Sequence, residues 1–107
     1  MVRIAIKPIS VNKCWKGRRF KTLDYEAYER EMMYTLPKLK IPQGKLILHL
    51  TVGFSSKSSD LDNTIKPILD ILQKKYDFND KMIYAIKANK VDVKKNEEYI
   101  DFKIGLR

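Results

Sequence analysis

The sequence predicts an α+β fold: a single small domain with a four-stranded mixed sheet and two helices, in the order β-α-β-α-β-β. Three observations predict it. Leu46, Leu48, Leu50, Val52 and Phe54 alternate with more polar positions without a break, the period of a strand with one buried face. Tyr25, Tyr28, Met32 and Leu36 recur at helical spacing, as do Ile65, Ile68, Leu69 and Leu72. The chain has 107 residues, 44% of them hydrophobic, which allows one core and one domain spanning residues 1–107.

The elements follow in order. Val2, Ile4 and Ile6 alternate with Arg3, Ala5 and Lys7 in a short strand that Pro8 stops. Residues 10–21 read as a polar loop. Thr22 is placed to cap a helix over 23–36, with Asp24 and Glu26 in the first turn where the helix dipole favours acids, and Pro37 ends it. Pro42 and Gly44 turn the chain into the strand 45–54. Ser55-Ser56-Lys57-Ser58-Ser59 is a flexible loop too brief for a domain linker. A second helix runs to about Lys75. A proline is tolerated in a first turn and costly inside a helix, so Pro67 places the regular start near Asn63 or Thr64 and leaves 60–62 in the turn before it. Strands over 82–93 and 99–106 close the chain, with 94–98 as a hairpin loop.

Composition narrows the function. Twenty-two Lys and Arg against thirteen Asp and Glu give a net charge of +9, which favours a polyanionic partner, nucleic acid above all. No apolar run approaches the roughly 20 residues of a membrane span, and residues 1–8 lack the apolar core of a secretory signal. A cytoplasmic protein without a membrane partner is therefore expected. One cysteine, Cys14, excludes an internal disulfide, and with one histidine, His49, it excludes an all-Cys/His zinc site.

The acidic residues offer chemistry. Asp60 and Asp62 stand two apart in Asp60-Leu61-Asp62-Asn63, and an extended backbone puts such a pair on one face. Lys66 lies one helical turn beyond Asp62, and Asp80 precedes the third strand. Hard carboxylate oxygens suit Mg²⁺ or Mn²⁺, which on a basic protein suits attack on a phosphodiester. The spacing alone is equally met by an Asp/Asn turn capping a helix, the simpler account of so common a pattern.

The N-terminal basic residues offer binding. Residues 1–22 hold seven basic side chains and no acid, among them Lys13, Lys16, Arg18, Arg19 and Lys21, with Trp15 and Phe20 interleaved. They suit contacts to phosphates, with an aromatic ring stacked on a base, or a solvated loop with Trp15 in the core. His49 falls on the strand face opposite the leucines and reads as structural. Cys14 has no histidine partner near it in sequence and reads as a bystander.

These residues together carry a resemblance. Asp60-Leu61-Asp62-Asn63-Thr64-Ile65-Lys66-Pro67-Ile68-Leu69-Asp70 resembles the D-L-D-N-x-x-K-x-x-x-D signature of the RusA family of Holliday junction resolvases, the crossover junction endodeoxyribonucleases. Pro8-Ile9-Ser10-Val11-Asn12-Lys13, then Trp15 and Gly17-Arg18-Arg19, is similar to that family's P-x-S-x-N segment. Asn79-Asp80-Lys81-Met82-Ile83 falls where members carry D-D-x-Q-[IV], with Asn79 in place of the first acid and Met82 in place of glutamine. The resemblance covers essentially the whole chain.

It implies a homodimeric, Mg²⁺-dependent endonuclease, with Mn²⁺ able to substitute, that nicks two opposed strands of a four-way DNA junction in recombination and repair. Matched residue by residue, it implies Asp60, Asp62 and Asp80 as metal-holding catalytic acids and Lys66 as the catalytic lysine. It also implies a bacterial or phage setting. Two other readings stand beside it: a non-catalytic binder of branched or single-stranded DNA with the same fold, and a basic domain that meets nucleic acid through charge alone.

Overall fold

The computed structural model describes residues 1–107. Strand β1 (Val2–Ile4) is followed by a 3-10 turn (Val11–Lys13) and a small hairpin of β2 (Trp15–Lys16) and β3 (Phe20–Lys21). Helix α1 (Leu23–Thr35), strand β4 (Leu46–Phe54), helix α2 (Asp62–Tyr76), a second 3-10 turn (Asp80–Met82) and strands β5 (Ile83–Asp92) and β6 (Tyr99–Leu106) complete the chain. The main sheet has the order β1-β6-β4-β5, with β4 and β5 parallel and the other pairs antiparallel. This is the mixed four-stranded sheet with two helices that the residue pattern predicts.

The burial follows the alternation. Leu48, Leu50 and Val52 of β4, Ile100 and Phe102 of β6 and Ile4 of β1 point to one side and are at most 1% exposed. Tyr25, Tyr28 and Met32 of α1 and Ile68, Ile71 and Leu72 of α2 pack in the same core. Thr22 caps α1 as its position predicts, its hydroxyl accepting from the Tyr25 N–H at 3.1 Å.

Three local expectations are corrected. The segment 10–21 is no simple loop: it folds into the 3-10 turn and a two-residue-per-strand hairpin, with Gly17 at φ 71° in the reversal. The segment 94–98 does not close a hairpin, because β4 lies between β5 and β6 and pairs with both. Strand β6, with Ile100 and Phe102 fully buried, takes the inner place beside β4, and β5, exposed along most of its length, takes the edge. Finally, α2 begins at Asp62 rather than Asn63 or Thr64, so Asp62 is helical and Pro67 is the sixth residue of the helix. Leu61 is already in the αR region at φ −57°, and its carbonyl accepts from both the N–H and the hydroxyl of Thr64. Pro67 lies on the buried stripe with Ile68 and Ile71, where apolar packing offsets the lost backbone bond.

Glu29 on α1 ties three elements together. Its carboxylate accepts from Lys21 of β3 and from Lys74 of α2, each at 3.0 Å. Burial pushes its carboxyl upward, and the hydrogen bonds from Lys74 and Lys21 outweigh that, leaving the group below its ordinary value. A depressed folded value means stability present above the ordinary glutamate range, about 4.3, and lost as pH falls through the folded one. The Glu29→Gln variant is therefore expected to lose less melting temperature than the wild type between neutral pH and about pH 3, which thermal denaturation across that range checks.

Candidate functional site

Helix α2 sets the site because its two faces have different tasks. Thr64, Pro67, Ile68, Ile71 and Leu72 form the stripe buried against the sheet. Asp62, Lys66 and Asp70 recur every four residues on another stripe, so they share one side of the helix. Asp62 sits in the first turn, where the helix dipole favours its charge.

Lys66 is the centre of this group. Its ammonium lies 2.9 Å from an Asp70 oxygen and 3.7 Å from an Asp80 oxygen. The Asp70 hydrogen bond holds Lys66 above its ordinary range against the opposing effect of burial, and the Asp80 carboxylate adds to it. Lys66 therefore remains a cation throughout the neutral range. Asp80 is fixed from two directions: its N–H donates to the Gln73 side chain of α2 at 2.8 Å, and Asn79 caps its 3-10 turn by accepting from the Lys81 N–H at 3.0 Å. Asparagine at 79 thus serves the turn.

Of the predicted catalytic set, the structure brings Lys66 and Asp80 together and places Asp62 one turn away. Asp60 lies outside the helix, its carboxylate accepting from the Asn63 side chain at 3.4 Å. It lines a cleft of about 800 Å³ between α1, the serine loop and the N-terminal segment, and Ser10 and Asn12 line the same cleft. The two sequence motifs, far apart in the chain, meet there. Neither Asp60 nor Asp62 caps α2, whose first residues have no side-chain cap. The capping account of the acidic spacing is therefore not the one the fold uses.

Asp70 is the residue that reasoning from the acids alone misses. It stands four residues after Lys66, and that spacing is the signal for it. Its charge also reaches the core. Burial pushes the Cys14 thiol up to about 11, and the Asp70 carboxylate adds to the shift. Cys14 is fully buried, its thiol directed at the Ser10 carbonyl, so it is no nucleophile at neutral pH.

Carboxylate oxygens are the right donors for a hard divalent cation. In this conformation no group of three or more His, Cys, Asp or Glu side chains is placed to hold a metal ion, and Lys66 occupies the space between Asp70 and Asp80. The donor chemistry fits a cation; a closed set of ligands would need Asp60 or Asp62 to turn toward Asp80.

The basic segment divides. Lys16, Arg18 and Arg19 are exposed on the small hairpin and Lys13 on the turn before it, and none of the four joins an ion pair. Lys21 is paired with Glu29, which it shares with Lys74. Trp15 is 42% exposed and packs edge-on against Tyr25 at 5.8 Å, while Phe20 is 72% exposed. Phe20 is the ring free to stack on a ligand. No helix is long and apolar enough to cross a membrane.

Compared with known proteins, the chain matches no family model and no curated sequence.

Proposed function

We propose that this chain is a divalent-metal-dependent endodeoxyribonuclease that acts on four-way DNA junctions as a homodimer, the activity its motifs resemble. The observation that carries the reading is the stripe Asp62, Lys66, Asp70 on one side of α2, with Asp80 brought to Lys66 from the 3-10 turn before β5, on a protein of net charge +9. Acids alone repel a phosphodiester; a charge of +18 for a dimer lets it approach them.

Asp60, Asp62 and Asp80 are the residues that would hold Mg²⁺ or Mn²⁺. Such an ion supplies polarisation of the scissile phosphate and a lowered pKa for bound water. Lys66 places a compact cation where negative charge develops on phosphorus-bound oxygen. Asp70 keeps that ammonium oriented, and Gln73 and Asn79 keep Asp80 in position. A two-fold dimer presents two equivalent sites to a junction of similar symmetry, as paired incision requires.

The absence of a preformed three-acid group favours one second reading, a branched-DNA binder that does not cut. Incubation with a labelled four-way junction and a linear duplex, with Mg²⁺ and with EDTA, separates the two. Nicks confined to the junction and to Mg²⁺ support the nuclease; junction binding that EDTA leaves unchanged, without nicks, supports the binder. The exposed hairpin charges carry a further expectation. Arg18→Ala with Arg19→Ala should weaken DNA binding and flatten its logarithmic salt dependence by about 1.8, two phosphate contacts' worth, in a titration from about 50 to 200 mM salt.

A further inference from the structure

Both helices pack on one side of the sheet, and the other side carries an uncompensated row of positive charge. Alternation along β4 leaves Ile47, His49, Thr51 and Gly53 on that side. The register extends it: His49 stands opposite Lys87 of β5 and opposite Lys103 of β6. Two lysines thus flank His49 in line across three neighbouring strands. Lys87 and Lys103 are exposed, and neither joins an ion pair.

The surroundings add charge of the same sign. Thr51 stands opposite Asp101, whose carboxylate accepts two hydrogen bonds from Arg3, at 2.7 and 2.8 Å. The Arg3 guanidinium also lies 4.0 Å from the centroid of the Tyr99 ring. At the far end Lys45 lies 5.2 Å from the centroid of Tyr84, and the Arg107 N–H donates to the Lys45 carbonyl. Arg3, Lys45, Lys87, Lys103 and Arg107 thus surround His49 with Asp101 as the one acid of these rows, and Arg3 already matches it.

Lys87 and Lys103 stand on the two strands that flank β4, on the same face and with no acid partner, so their charges repel each other across His49. A polyanion relieves the repulsion. A second copy of the same face would double it. A lipid surface would be met by a bulky apolar side chain able to insert, whereas the middle of this face offers His49, Thr51 and Gly53, and the rings at its ends lie against cations.

We propose that the uncovered sheet face is a second DNA-backbone surface, on which Lys87 and Lys103 contact phosphates on either side of His49. It rests on the reading of the chain as a DNA-directed protein, and it uses none of the acids of α2. Because the catalytic group lies on the helix layer and this row on the other side of the sheet, one chain offers two separate surfaces to the arms of a branched DNA.

The test compares the wild type with Lys87→Ala/Lys103→Ala and with Lys87→Arg/Lys103→Arg, measuring junction and duplex affinity across about 50 to 200 mM salt. The alanine pair is expected to bind about tenfold more weakly at physiological salt and to flatten the logarithmic salt slope by about 1.8, with the arginine pair restoring both. Unchanged affinity and slope in an alanine variant that melts at or above the wild-type temperature would overturn the proposal. So would a change of sedimentation, or lost binding to phosphatidylserine vesicles, with DNA binding intact. Wild-type DNA binding without nicking would remove the nuclease reading and leave this comparison decisive; no wild-type DNA binding would remove both.

Discussion

The Asp62→Asn variant is expected to lose nicking of a four-way junction by about three orders of magnitude while binding the junction at least as tightly as the wild type. Asp62 is the first residue of α2, exposed, one turn from Lys66. Asparagine has nearly the same shape, so the fold should be retained, with the loss of a first-turn charge costing at most about 1 kcal/mol. What disappears is an anionic oxygen. Electrostatic stabilisation at a metal-assisted phosphodiester centre is worth several kcal/mol, and about 4 kcal/mol corresponds to about a thousandfold in rate. Removing a negative charge beside phosphate also lowers repulsion in the bound state. Single-turnover cleavage and a binding titration on the same junction check both halves. Wild-type nicking by Asp62→Asn would exclude Asp62 from the chemistry.

The Phe102→Ala variant is expected to lose about 3–5 kcal/mol of stability. Phe102 is fully buried on β6, opposite Val2 of β1 and Leu50 of β4, and its ring centroid is 6.4 Å from that of Tyr76 on α2. It therefore joins three strands to the helix that carries Asp62, Lys66 and Asp70. Small domains hold only about 5–15 kcal/mol in total. At about 4–8 °C per kcal/mol, the melting temperature should fall by at least about 12 °C, and nicking should fail at a correspondingly lower temperature. A fall of a degree or two by circular dichroism would show that β6 and α2 are not coupled through this ring.

What could be read from the chain, and what could not, follows from where each signal resides. The β4 strand and both helices were legible because their periodicity is local: Leu48 and Leu50 are buried while His49 is not, as alternation alone requires. The β2–β3 hairpin was not legible, because strands of two residues around Gly17 have no period to detect. The order of β5 and β6 is not legible, because a short connection suggests neighbours in the sheet, whereas burial of Ile100 and Phe102 places β6 inside and leaves the exposed β5 at the edge. Pro67 argues for a start near Asn63 or Thr64, whereas the helix begins at Asp62, with the Thr64 N–H and hydroxyl both bonded to the Leu61 carbonyl one turn before.

The site was legible to a similar degree. Lys66 and Asp80, fourteen residues apart in the chain, come to 3.7 Å of each other in the fold. Asp70 stands in the matched motif, but its partner Lys66 is seen only in the fold, as is the pairing of Lys21 with Glu29. The basic row on the sheet could not be seen in one dimension at all. His49, Lys87 and Lys103 are far apart in sequence and become neighbours only through strand register.

The most direct measurement is strand-resolved cleavage of a synthetic four-way junction by the purified protein as Mg²⁺ is titrated. The account expects paired nicks at symmetric positions on two opposed strands, appearing with Mg²⁺, absent with EDTA, and absent from linear duplex of the same sequence. Tight junction binding with no nick on any strand, in Mg²⁺ and in Mn²⁺ alike, would contradict it.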